Sequence, residues 1–482
     1  MRFSARCALL LTQGQIRWST PLSPPELNSF HLQAACRTIA RSLMAGEANA
    51  DAVEARLAAA MGWADTAKTR RRLRPLARRY AAWVQGRLRP RLAEIAAFLR
   101  QDRGLQALLR AHPEQWKSKT LLTEPAVMQP AAVAAGWGVP AICSVGELAA
   151  WLHLNAGELE WFADLKGLTA RRWSSTELGH YHYRVLAKAS GGVRLIEAPK
   201  ERLKEIQRQI RMRILDAVPA HEAAHGFVRG RSIKTFVAPH VGRRVVLRMD
   251  LREFFPSFAG ARIQALFRLM GYPEPVADRL GGLCMTVTPA VVWKWPGPGA
   301  GATGGIEPGV LGEARALYAR PHLPQGAPTS PALANVCAYR MDCRLSGLAR
   351  SAGAEYTRYA DDLAFSGDDD FARNTERFAL EVAAILHDEG FAVHHRKTRI
   401  MRQGVRQHLA GLVTNERVNV VRSDFDRLKA TLTNCVRLGP ESQNREALLF
   451  FRLHLAGRVG FVEQIHPAKG ARLRKIFEQI RW

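Results

Sequence analysis

Two adjacent aspartates between two strand-like runs constrain the fold of this chain more than any other feature of its sequence. Residues 359–362 read Tyr-Ala-Asp-Asp, with one run from residue 355 before them and an apolar run from residue 363 after them. Side chains alternate faces along a regular strand, so a tight hairpin turn is needed to present Asp361 and Asp362 at one sheet edge. Paired carboxylates suit Mg²⁺, and two such ions about 4 Å apart clamp the oxygens exchanged in phosphoryl transfer. The alternative is an ordinary turn with two solvated acids.

Two earlier stretches favour the first interpretation. Asp250 follows the strand-like run 244–247 and precedes two phenylalanines, so it is placed to supply a third carboxylate. Its alternative is a helix N-cap, a position that aspartate favours. Gln325 and Gly326 belong to a Pro-Gln-Gly turn that would bring backbone amides close to a nucleotide. The alternative there is a plain loop before a helix that starts with proline.

Taken in this order, the three stretches resemble the reverse transcriptases, and within them the bacterial retron type. Asp250, Gln325-Gly326 and Asp361-Asp362 fall on the palm motifs A, B and C of that family. The resemblance runs from about residue 150 to residue 482, with further matching blocks at 182–200 and 224–233 (fingers), 390–398 (motif D) and 451–473 (thumb). It implies an α+β fold, a right-hand polymerase, with fingers at 146–245, a palm at 246–408 that contains a Gly/Pro-rich loop at 295–309, and a thumb at 409–482. Residues 1–145 match none of these motifs, and their composition predicts a basic N-terminal helical extension.

Two blocks depart from the retron pattern. Where retron enzymes carry Asn-Ala-x-x-His before motif A, this chain keeps only His240 in register. Where they carry Val-Thr-Gly before the thumb, it reads Leu409-Ala410-Gly411. Those blocks are associated with recognition of the enzyme's own structured RNA. The resemblance therefore predicts a reverse transcriptase of a divergent retron branch or of a related defence system.

The resemblance also implies roles for individual residues in catalysis. Asp250, Asp361 and Asp362 would be catalytic and would hold two Mg²⁺ ions, with the Leu251 carbonyl as a further oxygen ligand. Lys397 would donate a proton to the leaving pyrophosphate, although a surface lysine is an equally good interpretation of the sequence.

The remaining implied roles concern substrate binding, and each has a plain alternative. Lys188 and Arg194 would reach the triphosphate of the incoming nucleotide, or belong to a solvated hairpin. Phe255 would clash with a ribose 2′-OH as a steric gate, or be a core aromatic residue. Gln325 and Gly326 would pack near the nucleotide sugar and template base. Tyr359 would lie by the primer end, or be a strand aromatic on a half-buried face.

The function implied by the resemblance is that of an RNA-directed DNA polymerase, a nucleotidyltransferase that acts on dNTPs. Its template and primer would be a structured noncoding RNA, and its product would be an RNA–DNA hybrid. It would act in anti-phage defence, where an effector protein would be a further partner. Two alternatives stay open: a group II intron-like or other defence reverse transcriptase, and an RNA-binding ribonucleoprotein scaffold without catalysis.

Composition agrees with a polyanionic partner. The 482 residues carry a net charge of +27, which fits nucleic acid and predicts salt-sensitive binding. No uncharged apolar run approaches the ~20 residues that span a bilayer, and residues 7–11 are too short an apolar run for a secretory signal. The seven cysteines form no C-x-x-C pair, so zinc or disulfide frameworks are not indicated. We therefore expect no membrane insertion and a cytoplasmic location with reduced thiols.

The flanking regions carry weaker patterns. Residues 68–91 are rich in basic residues and contain no acidic one, which favours an RNA-binding helical extension over a helix pair with a solvated basic face. Pro75 is expected to start or kink any helix there. A linker is expected at 125–140, two short helices at 145–168, a mobile loop at 295–305, and a helical region at 424–482 with Phe425, Leu428 and Leu432 on one face.

Overall fold

A computed structural model describes residues 29–112 (apart from 86, 88 and 89), 126–172, 179–188, 192–293 and 308–482. The chain divides into two compact units between Val127 and Met128. The predicted mobile loop at 295–305, the apolar run 7–11 and the tip of the hairpin at 189–191 lie outside the described residues.

The first unit is helical. Asn49 begins one helix by accepting a hydrogen bond from the backbone of Ala52 at 2.9 Å, and Thr66 caps the next through Thr69 at 3.2 Å. Buried apolar residues from these helices form one core. The helices are α1 (Ser29–Met44), α2 (Ala50–Ala60), α3 (Ala67–Val84), α4 (Leu92–Gln101) and α5 (Arg103–Ala111).

The prediction that a helix would start at Pro75 is wrong. The helix α3 begins at Ala67 and continues past Pro75 to Val84. Proline removes one N–H, which leaves the carbonyl four residues earlier without its helical donor. Pro75 is exposed, while Leu73 and Leu76 on either side are buried, so water can reach the backbone on that side of the helix.

The second unit is built around a five-stranded antiparallel sheet in the order β4-β5-β3-β6, with β7 also pairing with β3. Alternate residues of β3 serve two cores: Val245 and Leu247 belong to one apolar cluster and Val246 to another. The sheet is therefore buried on both faces. Its strands are β3 (Val245–Arg252), β4 (Ala354–Tyr359), β5 (Asp362–Gly367), β6 (Ala392–Val393) and β7 (Arg399–Arg402).

Between residues 145 and 388, an antiparallel hairpin and eleven helices of the described part of the chain surround this sheet. The two short helices expected between 145 and 168 are present as α6 and α7, capped by Ser144 and Asn155. The hairpin strands are β1 (Tyr181–Ala187) and β2 (Val193–Pro199). The helices are α6 (Val145–Trp151), α7 (Ala156–Ala163), α8 (Leu168–Arg172), α9 (Glu201–Arg213), α10 (Ile233–Val237), α11 (Gly260–Leu269), α12 (Glu274–Cys284), α13 (Pro308–Tyr318), α14 (Ser330–Cys337), α15 (Tyr339–Ser351) and α16 (Asp369–Asp388).

Residues 128–140, most of the expected linker, belong to the second unit together with the residues that follow them. Gln129 N donates to the Gly271 carbonyl at 3.0 Å, and Ile142 is buried in the main core. The described region from 126 to 144 contains only one short helical turn, Ala132–Ala134, so its turn-rich composition does predict irregular structure.

The C-terminal part is helical beyond a small sheet, as the pattern predicts. Phe425, Leu428 and Leu432 are buried on one face of α17 and join the second core. No helix in the described part of the chain is long and apolar enough to cross a membrane. The elements are β8 (His408–Leu409), β9 (Leu412–Val413), β10 (Asn419–Val420), α17 (Arg422–Leu438), α18 (Phe451–Ile465) and α19 (Pro467–Phe477).

Candidate active site

The Tyr-Ala-Asp-Asp stretch forms a tight hairpin turn. Tyr359 at the end of β4 pairs with Asp362 at the start of β5, which leaves Ala360 and Asp361 as the two turn residues. Ala360 adopts a φ of 54°, in the left-handed region that such turns use. A Cβ atom at the neighbouring Gly226 would lie 2.7 Å from the Ala360 nitrogen, so the absence of a side chain there lets the turn sit close to the backbone.

The third aspartate reaches the same place from the middle of the sheet. Asp250 lies within β3, not at a helix N-cap, and pairs directly with Asp362 across the ladder. Leu251 N donates to the Asp361 carbonyl at 2.9 Å, and His394 N donates to the Asp250 carbonyl at 2.7 Å. The sheet register therefore brings the three carboxylates to one end of β3 and β5.

Two basic side chains lie against these carboxylates. Lys397 Nζ is 3.0 and 3.1 Å from the two carboxylate oxygens of Asp250. Arg248 donates to Oδ1 of Asp362 from Nε at 3.1 Å and from Nη2 at 2.7 Å. Burial, followed by the nearby Asp250, raises the pKa of the Asp361 carboxyl to about 6. The cluster therefore has unneutralised negative charge that an added cation would relieve.

The donor set fits Mg²⁺ in kind, because all its side-chain ligands are carboxylate oxygens. In the described part of the chain, however, no group of three or more His, Cys, Asp or Glu side chains is arranged to hold a metal by itself. Two of the three carboxylates are turned toward basic partners, Lys397 and Arg248. Magnesium sites in phosphoryl-transfer enzymes commonly take one or two carboxylates and complete their shell with water and substrate phosphates.

A cavity of about 510 Å³ opens beside the carboxylates. Eight of the residues singled out in the sequence line it: Lys188, Arg194, Asp250, Leu251, Phe255, Gln325, Asp361 and Lys397. Gly326 and Asp362 are chain neighbours of lining residues. The ring of Tyr359 lies 6.3 Å from that of Phe227 and 5.8 Å from that of Phe236.

Phe255 is part of both the cavity wall and the core edge. It lines the cavity, and its ring lies 5.6 Å from Phe254 and 6.4 Å from Phe227. It is only partly buried and packs against the main core. A bulky ring anchored in this way presents a fixed surface to whatever occupies the cavity.

The Gln325 turn also takes the expected form. It precedes α14, which has proline in its first turn, and Ser330 Oγ donates to the Pro324 carbonyl at 2.7 Å. The Gln325 carbonyl accepts a hydrogen bond from Glu197 N at 2.8 Å, which joins the turn to β2. Gly326 has a φ of 130°, and a Cβ there would lie 3.1 Å from the Glu197 carbonyl oxygen. Glycine is thus required by both conformation and space.

A fully buried ion pair supports the aspartate turn from behind. Arg358 donates to Asp342 from Nε at 2.8 Å and from Nη2 at 2.6 Å, and neither side chain is exposed. Arg358 Nη1 also donates to Asn335 Oδ1 at 3.0 Å and to the Ala360 carbonyl at 3.2 Å. Tyr356 completes the network by donating to Asp342 at 2.8 Å. Every one of these bonds restrains the strand or turn that carries the aspartates.

Sequence reasoning missed several residues of the site. Arg248 had a usable signal, since it lies two residues before Asp250 in a strand and therefore shares its face. Glu253 lines the cavity with a φ of 46° and forms an ion pair with Lys188, and no pattern indicated this. The Arg358–Asp342 pair had no sequence signal either, because its partners lie on different elements.

Comparison with known proteins decides the family. Residues 186–419 match the family described as "Reverse transcriptase (RNA-dependent DNA polymerase)". The retron Mx65 reverse transcriptase of Myxococcus xanthus is 39% identical over 345 residues, which are 71% of this chain and 73% of that protein. The chain belongs to the retron reverse transcriptases. The family resemblance, the α+β polymerase fold and the RNA-directed DNA polymerase activity inferred from the sequence are thereby confirmed.

Two further retron enzymes are similar to this chain. The retron Mx162 reverse transcriptase of Myxococcus xanthus is 35% identical over 347 residues, covering 69% of this chain and 66% of that protein. The retron Ec86 reverse transcriptase of Escherichia coli is 28% identical over 257 residues, covering 52% of this chain and 69% of that protein. Among solved structures, a foamy viral protease-reverse transcriptase with double-stranded DNA aligns over 60% of this chain with a TM-score of 0.31 and 16% identity.

Proposed function

We propose that this retron reverse transcriptase copies a structured noncoding RNA into DNA, using the RNA as template and primer and releasing an RNA–DNA hybrid. The observation that carries the proposal is the convergence of Asp250, Asp361 and Asp362 beside a cavity whose other walls hold basic side chains. Phosphoryl transfer asks a protein mainly for positioning and charge neutralisation, and this arrangement supplies both.

In this proposal the carboxylates hold two Mg²⁺ ions, with the Leu251 carbonyl as a further ligand. Bound Mg²⁺ supplies Lewis-acid stabilisation of the charge that develops on the transferred phosphoryl group. The raised pKa of Asp361 supports the assignment, because a buried, crowded carboxyl gains most from a bound cation. Lys397, already bonded to Asp250, is placed at the cavity wall to give a proton to the leaving pyrophosphate.

The remaining lining residues are proposed to bind and select the dNTP. Arg194 lies on β2 and Lys188 directly follows β1 in the same hairpin, and both would neutralise the triphosphate. The ring of Phe255 would exclude a ribose 2′-OH, since its packing against neighbouring aromatics leaves it little freedom to move aside. Gln325 and Gly326 would contact the sugar and the templating base, and Tyr359 would lie by the primer end.

The domain boundaries are also part of our proposal. We assign the extension to 1–145, the fingers to 146–245, the palm to 246–408 and the thumb to 409–482. The family supports a setting in anti-phage defence, with an effector protein as a further partner. Phage plating on cells that carry the wild-type locus or an Asp361/Asp362 variant tests that setting, and equal plating would contradict it.

The helical extension is proposed to contact RNA phosphates. In α3, Arg70, Arg74 and Arg79 pair with Asp65, Glu54 and Asp102. Four other basic residues, which have no ion-pair partner among the described residues, are exposed on the side of the helix away from its buried face: Lys68, Arg71, Arg72 and Arg78. Replacing Arg71, Arg72 and Arg78 by glutamine should weaken RNA binding. It should also reduce the slope of the logarithm of the binding constant against the logarithm of salt concentration by about 2–3. An unchanged slope would contradict the contact.

The central test is to express the protein with its native flanking DNA and to digest the nucleic acid that copurifies with RNase or DNase. We expect a short DNA joined to RNA in the wild type. The double variant Asp361→Asn with Asp362→Asn should lower synthesis by at least about a thousandfold while leaving RNA affinity largely intact. The matched control is Asp369→Asn with Asp370→Asn, an exposed acidic pair in the first turn of α16.

Each outcome separates the possibilities. Wild-type DNA yield in the Asp361/Asp362 double variant would overturn the metal-site assignment. RNA without attached DNA in the wild type would contradict self-primed synthesis and favour an external primer or a scaffold role. Loss of DNA in the Asp369/Asp370 control would show that acidic residues outside the cavity matter equally.

A further inference from the structure

Glu197 lies at the base of the hairpin that carries the proposed triphosphate ligands. Side chains alternate along β2, so Arg194 is exposed while Leu195 and Glu197 on the opposite face are fully buried. A buried glutamate is uncommon and needs compensating partners, because its charge has lost the stabilisation of water. Glu197 therefore requires an explanation that the apolar core around it does not give.

Both carboxylate oxygens of Glu197 are satisfied. Thr288 Oγ donates to Oε1 at 2.7 Å, and His322 Nε2 lies 2.8 Å from Oε2. The other ring nitrogen of His322 lies 2.6 Å from the Arg320 carbonyl, which can only accept. The two ring nitrogens of His322 therefore hold it between two oxygen atoms. Neither side chain is exposed, so these contacts are shielded from water.

His322 lies on the segment that leads to the Gln325 turn, and Thr288 lies on a segment that pairs with it. His322 stands three residues before Gln325, and its backbone forms an antiparallel bridge with Thr286. Thr288 N donates to the Tyr318 carbonyl at 3.0 Å, which ties the same segment to the end of α13. Glu197 itself donates from its backbone nitrogen to the Gln325 carbonyl at 2.8 Å. Glu197 thus joins β2 to the Gln325 turn through its backbone. Its side chain joins β2 to the segment before that turn through His322.

The fit at Gly326 makes this junction sensitive to displacement. A Cβ at Gly326 would lie only 3.1 Å from the Glu197 carbonyl oxygen, so the two backbones are already in close contact. A shift of β2 would move Lys188 and Arg194 on one side of the cavity relative to Gln325 on the other. Because the proposed contacts to the dNTP come from both sides, such a shift would weaken ground-state binding of the nucleotide.

We propose that Glu197 is a positioning residue that, held by His322 and Thr288, fixes the β1–β2 hairpin to the Gln325 turn and thereby sets the affinity for the incoming dNTP. The proposal rests on the function proposed above, in which Lys188, Arg194 and Gln325 contact the nucleotide. Glu197 does not line the cavity, so it acts only through those residues.

The test is steady-state incorporation of a single nucleotide on an RNA template with an annealed DNA primer, using the full chain. Glu197→Leu should raise KM for the dNTP about tenfold and change kcat less than about threefold, because ground-state positioning is lost while the carboxylates stay in place. Glu197→Gln keeps an amide oxygen for Thr288 and should restore most of the affinity. Thr288→Val, which leaves no charge unpaired, should raise KM about twofold to threefold.

The matched control is Glu205→Leu, an exposed glutamate on α9 that pairs with Arg202. It should leave both constants unchanged. A role in folding alone would lower the melting temperature and kcat of Glu197→Leu with KM for the dNTP unaltered, and that result would overturn the proposal. So would an equal rise of KM for the dNTP and for the template–primer, or the absence of rescue in Glu197→Gln.

Arg194→Ala separates this inference from the function on which it rests. If Arg194→Ala raises KM for the dNTP and Glu197→Leu does not, only the positioning role fails. If Arg194→Ala leaves KM unchanged, the assignment of the hairpin to the triphosphate fails, and the positioning role fails with it.

Discussion

Two carboxylate–cation systems meet at the β4–β5 hairpin, and they differ in how completely their charges are neutralised. Behind the turn, Asp342 receives three hydrogen bonds from Arg358 and Tyr356, and the ion pair is sealed from solvent. In front of it, Lys397 and Arg248 neutralise only two of three carboxylates and remain partly exposed. Asp361 is left with a pKa of about 6.

The buried ion pair and the open carboxylate cluster therefore suit different roles, the first structural and the second catalytic. A buried pair with every donor satisfied has one low-energy arrangement, so it fixes the backbone around it. An open cluster with excess negative charge can exchange one cation for another, which a metal- and substrate-binding site must do. The sealed system therefore holds the turn still while the open one remains free to rearrange.

The largest change in stability is expected from breaking the sealed system. Asp342→Ala leaves Arg358 buried without a carboxylate and should lower the free energy of unfolding by about 3–5 kcal/mol. Chemical denaturation measures it. The control is Glu463→Ala, which breaks a half-exposed pair with Arg474 and should cost less than about 1 kcal/mol. Equal losses in the two variants would show that the Asp342 pair is not the stronger support.

A smaller effect, on activity alone, is expected from the open system. Lys397→Met should lower kcat about a hundredfold, the usual contribution of a positioned proton donor. Lys397→Arg keeps the charge beside Asp250 but holds its proton too tightly to donate it. If arginine restores the rate, Lys397 only orients Asp250 and is not the proton donor. Lys204→Met, which removes an exposed lysine of α9, is the control.

The smallest expected change is in melting temperature, and its sign is opposite to that for Asp342→Ala. Asp361→Asn should abolish synthesis yet raise the melting temperature by about 2 °C at pH 8 in metal-free buffer. The pKa of Asp361 is raised from 3.8 to about 6, so between these values the folded chain keeps a proton that the unfolded chain has lost. Lowering the pH therefore stabilises the wild type through this group, and the advantage of asparagine should vanish below about pH 4.

The control for that comparison is Asp250→Asn, which leaves Lys397 without its carboxylate. It should lose activity with no gain in melting temperature. A melting temperature of Asp361→Asn at or below that of the wild type at pH 8 would mean that the ionised carboxylate carries no penalty in the fold.

The features that the sequence predicted correctly are local ones. The hairpin at 359–362, the helix after the Gln325 turn and the buried face of α17 follow from alternation, helical spacing and turn residues within a few positions. The convergence of Asp250 with Asp361 and Asp362 is not local, and it was inferred from the family resemblance.

The features that the sequence did not reveal depend on pairing between distant positions. His322 and Glu197 are 125 residues apart, and Lys188 and Glu253 are 65 residues apart. Each residue alone is an ordinary polar position with many conceivable partners. The prediction that a helix would start at Pro75 is wrong for another reason: Pro75 is exposed, so water can reach the carbonyl that proline leaves without a donor, and the helix α3 continues past it.

The register of β4 and β5 has a consequence for how this hairpin can change over generations. Tyr359 pairs with Asp362, and each earlier residue of β4 pairs with a later one of β5, back to Ala354 and Gly367. Inserting or deleting one residue in either strand would turn every side chain beyond that point to the opposite face. Asp362 would then exchange places with the buried Leu363. Substitutions can be absorbed singly here, whereas a change of length would have to be compensated on the partner strand in the same lineage.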